Sequence, residues 1–226
     1  MSTFSETARE IVVDFWTYAD KVSEAIAQWK KATGQYTAEY IHTQVLQLEQ
    51  QSLDAKYRAE RKLAALREKY ETTAAAYYAP NGAVLDTADA KLLRTDFPMD
   101  LDQFRALCER NKDNATVMQL ARQYAAKEGR NWGPWVSKVC PDSDHRRAAY
   151  EAIEARAYMD LNAGGSSYAV ALMPDAWARM LGQSIDALGS LNTYRGTVVE
   201  NPAAPAAGAD ASDGAEGSAA ANSAGE

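Results

Sequence analysis

Residues 37–78, TAEYIHTQVLQLEQQSLDAKYRAERKLAALREKYETTAAAYY, decide the fold of this chain. Apolar and small residues recur in this stretch at alternating steps of four and three, which is the period of one helix face. The stretch contains no Pro and no Gly, so we expect one helix of roughly 63 Å. Two consecutive steps of four, at Ala55, Ala59 and Leu63, indicate a stutter in a coiled-coil-like seam. The full seam is Ile41, Val45, Leu48, Ser52, Ala55, Ala59, Leu63, Leu66, Tyr70, Thr73 and Tyr77.

A second seam precedes this helix and predicts a helical hairpin over residues 1–80. Its members, again at steps of four and three, are Ile11, Phe15, Tyr18, Val22, Ala25 and Trp29. Thr3 followed by Glu6 is a capping box that begins this helix, and Gly34 is suited to end it. Thr37 then offers an N-cap for the long helix.

A smaller helical region is predicted for residues 81–201. Asp100 and Gln103 form a second capping box, and Asn114 caps the next helix, which together predict an αα-hairpin over residues 100–129. Further helices are expected over residues 142–161 and from Pro174 onward. Residues 168–173 are the single strand candidate. The fold class is therefore all-α.

The C-terminal 25 residues, 202–226, have a different composition. They consist mainly of Ala, Gly and Ser with four acidic residues, and they contain no aromatic, Ile, Leu, Val, Met or basic residue. Such a segment cannot bury enough apolar surface to offset the entropy of ordering. We therefore expect a disordered acidic tail.

Composition excludes several classes of protein. The 226 residues carry a net charge of −7, which argues against a dedicated duplex-binding protein with a broad basic face. No run of about eighteen apolar residues predicts a membrane span, and no signal peptide is evident, so we expect no membrane association. Two cysteines, Cys108 and Cys140, cannot form a disulfide framework and suit a reducing compartment.

No motif predicts catalysis, a cofactor or a metal. The two histidines, His42 and His145, have no triad partners arranged in the sequence. Cys140, Asp142 and His145 are too few and too mixed for a structural zinc site, and the acids suit a helix N-terminus. No phosphate-binding glycine loop is present. The chain is therefore predicted to be non-enzymatic.

An alternative function is nucleic-acid binding by an accessory protein. Six basic residues fall within residues 56–69, and the hairpin at 100–129 has the proportions of a helix-turn-helix. The turn of that hairpin lacks the usual Gly, however, and its second helix is rich in Gln rather than in basic residues. The six basic residues are Lys56, Arg58, Arg61, Lys62, Arg67 and Lys69.

Three stretches together carry a resemblance to a known class of protein. They are GQYTAEY at residues 34–40, KLL at 91–93 leading into DLDQF at 100–104, and NKDNATVM at 111–118 leading into Tyr124. Over about residues 34–128 the chain resembles small helical proteins from the structural-gene modules of tailed phages and prophages of Gram-positive bacteria. The resemblance implies a scaffold-like or minor virion role, in the cytoplasm of the bacterial host or in the virion, and no catalytic residue.

The seam also predicts where such a protein would bind. The first helix offers a seam of nineteen residues, about half the length of the seam in the long helix. The uncovered half would then face the 90–190 helices or another chain, either a second copy or another virion protein. The predicted interaction residues are Leu63, Leu66, Tyr70 and Tyr77.

Overall fold

The computed structural model describes residues 3–127, 132–163 and 174–194. All regular elements in these ranges are helical and none is a strand, which confirms the all-α prediction. The strand candidate at 168–173 and the predicted tail at 202–226 lie outside the described residues. The helices are α1 Phe4–Lys31, α2 Ala38–Tyr78, α3 Gly82–Leu85, α4 Ala88–Arg94, α5 Leu101–Arg110, α6 Ala115–Lys127, α7 Gly133–Val139, α8 Ser143–Ala163 and α9 Pro174–Leu188, followed by a short 3₁₀ helix, Gly189–Asn192.

The N-terminal hairpin forms as the capping signals predict. The Thr3 hydroxyl accepts a hydrogen bond from the Glu6 amide, and the Glu6 carboxylate accepts one from the Thr3 amide. Gly34 adopts a φ of 101°, a left-handed conformation that favours glycine in the turn between the helices. Thr37 then caps α2, whose 41 residues span about 62 Å.

The larger of two hydrophobic clusters forms where α1, α2, α8, α9 and the 3₁₀ helix meet. The seams of α1 and α2 face each other, and α8 and α9 pack against the half of the hairpin distant from its turn. Rings join three helices there: Phe4 of α1 lies 5.6 Å from Tyr70 of α2, and Tyr70 stacks at 4.0 Å on Tyr150 of α8. The halves of the predicted seams that lie away from the turn are therefore part of the larger cluster.

The smaller cluster is built by α3 to α7 and includes the predicted αα-hairpin. Asp100 and Gln103 form the predicted capping box at the start of α5, and the Asn114 side chain accepts from the Val117 amide at the start of α6. Phe104, whose side chain is fully buried, stacks on the ring of Tyr124 at 5.6 Å. These contacts give residues 82–140 a hydrophobic centre of their own.

The two clusters divide the chain differently from the predicted boundary between 1–80 and 81–201. α8 and α9 follow the smaller cluster in sequence but pack with the hairpin, because buried residues of α8 such as Ile153 and Leu161 belong to the larger cluster. Residues 82–140 are thus an insertion between α2 and α8. The chain leaves and re-enters the larger cluster at adjacent points, since the Tyr78 hydroxyl donates to the Pro141 carbonyl at 3.2 Å.

Candidate interaction surface

The four residues predicted to bind another chain lie inside this protein. Leu63, Leu66, Tyr70 and Tyr77 are between 1% and 8% exposed. Burial removes water from the phenol of Tyr70 and raises its pKa to about 12. The Tyr77 hydroxyl lies 3.0 Å from the Ser190 hydroxyl of the 3₁₀ helix, so the C-terminal helices cover this part of α2. Of the two alternatives for this face, the 90–190 helices or another chain, the structure shows the first, so the four residues do not bind a partner.

A buried arginine holds the end of α2 against α8. Arg146 is 2% exposed, and no carboxylate of the described residues pairs with it. Its guanidinium lies 4.8 Å from the ring centroid of Tyr77 and 5.8 Å from that of Tyr78, and its Nη2 lies 3.8 Å from the Cys140 Sγ. Tyrosine rings stabilise a cation more strongly when water is excluded. Arg146 therefore joins α2, α8 and the segment before α8 and leaves no open anion site.

Three of the six basic residues at 56–69 share one side of α2, and the others do not join them. At 100° per residue, Arg58, Lys62 and Lys69 fall within about 40° of one another, whereas Lys56 and Arg67 lie on the other side of α2. Arg67 is paired with Glu154 at 3.1 Å and with Glu71 at 3.2 Å. A duplex-binding surface needs several basic residues on one face that are free of ion-pair partners. A single row of three basic residues on a chain of net charge −7 is not the broad basic face that duplex binding needs.

The hairpin of α5 and α6 also lacks a basic face. In α6, the Lys127 ammonium lies 3.3 Å from the Asp96 carboxylate, and the Arg122 guanidinium bonds to the Cys140 carbonyl inside the protein. The residues that α6 does expose include Gln119 and Gln123. A recognition helix reads bases with side chains on one open face. Here the charged members of that helix are engaged within the chain.

The residues considered for metal binding do not form a centre. Among residues 3–127, 132–163 and 174–194, no three His, Cys, Asp or Glu side chains converge in a way that could hold an ion. The His145 Nδ1 lies 2.8 Å from the Asp142 carboxylate, which also accepts the His145 amide as a helix cap. His42 is exposed on α2. The pairing of Asp142 with His145 is thus a capping interaction at the start of α8.

The turn end of the hairpin extends beyond the larger cluster as a two-helix arm. We define the arm as residues 20–54, because no residue between Ala19 and Ala55 belongs to either cluster. Only Val22, Ile41 and Val45 of the arm are buried, and they lie between its two helices. So narrow a projection contributes little to the core. Its form presents helix surface away from the body of the protein.

Apolar side chains remain exposed on the outer side of α2. Leu46, Leu53 and Tyr57, which we call the outer stripe, are 50%, 42% and 51% exposed. They recur at steps of seven and four, so they share one face, about 140° around the helix from the buried seam. The sequence pattern did not predict this stripe, because polar Gln50 and Glu60 interrupt its row of apolar residues, whereas the buried seam has no charged member.

Three aromatic rings form a patch at the tip of the arm. Tyr36 and Tyr40 are about half exposed and stack at 5.5 Å. The Trp29 ring contacts both, with centroids 5.4 and 5.8 Å away. Aromatic residues that combine apolar faces with polar edges are enriched in protein interfaces. The tip and the outer stripe together place the exposed apolar surface of the hairpin on α2 and its turn.

A groove borders the outer stripe where α8 approaches α2. It has a volume of about 510 Å³ and is lined by Tyr57, Glu60, Arg61, Ala64 and Tyr158. Its walls are mainly apolar, and charged groups lie at its edge. An open groove of this kind is suited to an inserted apolar side chain from another molecule.

Comparison with protein-family models, curated proteins and solved structures finds no match to this chain. The likeness to phage structural modules therefore rests on the sequence stretches quoted above. No helix in the described part of the chain combines the length and the apolar character needed to cross a bilayer.

Proposed function

We propose that this chain is a non-enzymatic structural or assembly protein of a tailed phage or prophage that acts by helical association with itself or with another virion protein. The observation that supports this proposal is the arm with its outer stripe. Leu46, Leu53 and Tyr57 stay about half exposed along a helix whose opposite face packs against α1 and, from Ala55 onward, belongs to the larger cluster. Apolar residues arranged on one exposed helix face are characteristic of an interaction surface.

The arm adds to this proposal because it separates the surface from the body. A projecting pair of helices lets a partner lie along α2 over several turns without meeting the smaller cluster. The aromatic patch at Trp29, Tyr36 and Tyr40 adds a second exposed apolar surface at the turn. In this proposal the protein acts in the cytoplasm of the bacterial host, in the virion, or in both, as a scaffold-like or minor component.

Capture of defined partners tests the proposal. The proteins encoded beside this one in its source genome would be purified and passed over the immobilised full-length chain, and at least one should be retained. Leu46→Asp and Tyr40→Asp should each reduce retention, because both place a charge on the proposed surface. Phe97→Asp is the matched control, since Phe97 is equally exposed but lies outside the arm. Equal loss with the control, or retention by no partner and no self-association, would refute the proposal.

A further inference from the structure

The geometry points to a second copy of this chain as the partner of the outer stripe, docked antiparallel along α2 with Leu53 of each copy in the groove of the other. This inference rests on the proposed function and specifies its partner. Leu53 is 42% exposed, and the groove beside Tyr57 and Tyr158 lies on the same side of the same helix. A surface that carries both the projecting side chain and its receptor is self-complementary, as an isologous dimer requires.

The positions of the two features fix the register of the pair. Leu53 lies one turn before Tyr57 along α2, and Ala64 forms the far wall of the groove. An antiparallel neighbour whose two-fold axis crosses α2 near residues 58–59 brings Leu53 of one copy opposite Ala64 of the other. The same two-fold rotation places Leu53 of the other copy in the groove of the first, so both grooves are filled. A parallel neighbour would instead place Leu53 against Leu53 and leave the grooves empty.

The charges of α2 favour the same orientation. Residues 38–55 contain three acidic and no basic residues, for a charge of −3. Residues 56–69 contain six basic and two acidic residues, for a charge of +4. With the axis near residues 58–59, antiparallel pairing sets residues 38–55 of each copy opposite residues 62–79 of the other, which contain three basic and two acidic residues. Parallel pairing would instead set the acidic stretch 38–55 against itself and the basic stretch 56–69 against itself.

Individual charges agree with this register. Asp54 and Arg61 flank the stripe on one side and lie two turns apart, so each Asp54 meets the Arg61 of the other copy. On the opposite side, Lys56 of each copy approaches Glu60 of the other. Within one copy the Asp54 carboxylate accepts only from Gln50, at 3.0 Å, and the Arg61 Nε donates to the Tyr57 carbonyl, so both charged groups remain available.

The contact is small, and the dimer should be weak. The apolar part consists of Leu53, Tyr57, Ala64 and Tyr158 from each copy, with charged residues at the rim. Interfaces of this limited size and mixed polarity are at the weak end of the known range. We expect a dissociation constant on the order of 10–100 µM.

Sedimentation velocity of the full-length chain over a range of concentrations tests the dimer. The average mass should rise toward that of a dimer at high micromolar loading. Leu53→Asp removes the inserted side chain from both grooves and should raise the dissociation constant by about a hundredfold or more. Phe97→Asp, a substitution of an equally exposed apolar residue in another part of the protein, should leave it unchanged. A wild-type protein that stays monomeric at high micromolar loading overturns the inference.

A charge exchange tests the orientation. Asp54→Arg alone and Arg61→Asp alone should each weaken the dimer by about three- to tenfold and make its salt dependence smaller. The double variant, which exchanges the two charges, should recover wild-type affinity because both reciprocal pairs are restored. A double variant that is weaker than either single one would overturn the antiparallel register. Circular dichroism of each variant confirms that the helices are intact.

Partner capture separates this inference from the proposed function. If the protein is monomeric but retains a neighbouring gene product in a manner lost with Leu46→Asp, the second copy is refuted and the assembly role stands. If the dimer forms and no gene product is retained, association of the chain with itself is the assembly activity. If neither is observed, both proposals fail.

Discussion

The substitution Leu63→Ala tests whether Leu63 is buried by its own chain or by a partner. Leu63 is 1% exposed and lies in the larger cluster between α1 and α8. Leu63→Ala removes most of a buried side chain and leaves a cavity, which typically costs about 2–5 kcal/mol of unfolding free energy. Leu53→Ala on the outer stripe should cost about 0.5 kcal/mol or less in the monomer, because Leu53 is already 42% exposed.

Urea unfolding followed by circular dichroism measures both effects. With a slope of about 2–3 kcal/mol per molar urea, a loss of about 3 kcal/mol lowers the midpoint by roughly 1 M. The loss from Leu63→Ala should be the same at about 1 µM and about 10 µM protein, since no association contributes to it. A loss that grows with protein concentration would show that Leu63 packs against a second chain. Equal losses of unfolding free energy for Leu63→Ala and Leu53→Ala would show that α2 does not bury the Leu63 side and expose the Leu53 side.

Three further predictions concern other parts of the molecule. Asp89→Asn should destabilise the protein by about 1 kcal/mol at neutral pH, as followed by urea unfolding. Hydrogen bonds from Arg110, partly opposed by burial, lower the pKa of Asp89 in the folded protein. The contribution of Asp89 to stability is therefore present above its unfolded pKa near 4 and is lost as the pH falls through the lower folded pKa. A destabilisation by Asp89→Asn that is unchanged at pH 2 would contradict this. Gly34→Ala should cost about 1–2 kcal/mol because alanine is strained at a φ of 101°, and amide exchange should locate the added opening in the arm rather than in the smaller cluster. Deleting residues 202–226 should change the melting temperature by no more than about 1 °C, because no apolar side chain larger than Ala or Pro is lost; a large drop in a thermal melt would show that the segment docks on the body.

Local signals in the sequence were sufficient for the six longer helices, whereas the short helices α3, α4 and α7 were not predicted. The helices predicted to begin at Thr3, Thr37 and Asp100 are each capped by that residue. These caps could be predicted because a capping hydrogen bond involves residues only two or three positions apart. The buried seam of α2 was predictable for the same reason, since its period is a property of one helix. All-α architecture follows from these local features.

Long-range packing could not be read from the same signals. Tyr70 stacks on Tyr150, eighty residues later, and no periodicity within α2 states which helix will cover it. Arg146 is charged and would be placed on the surface by composition alone, yet it lies under two tyrosine rings. The burial of Leu63, Leu66, Tyr70 and Tyr77 could not be predicted for the same reason, since it depends on helices that follow residue 140 in the sequence.

The insertion of residues 82–140 between α2 and α8 has a consequence during synthesis. When α2 has left the ribosome, Leu63, Leu66 and Tyr70 still lack their cover, because Tyr150 and the helices after it have not been translated. At about 5–20 residues per second, the seventy or so residues from Tyr78 to Tyr150 take roughly 4–15 s. The nascent hairpin carries an open apolar face throughout that interval, while the insertion can already complete its own centre. Chaperones that hold such faces would therefore engage this chain before its last two helices emerge, and its yield should depend on them more than its size suggests.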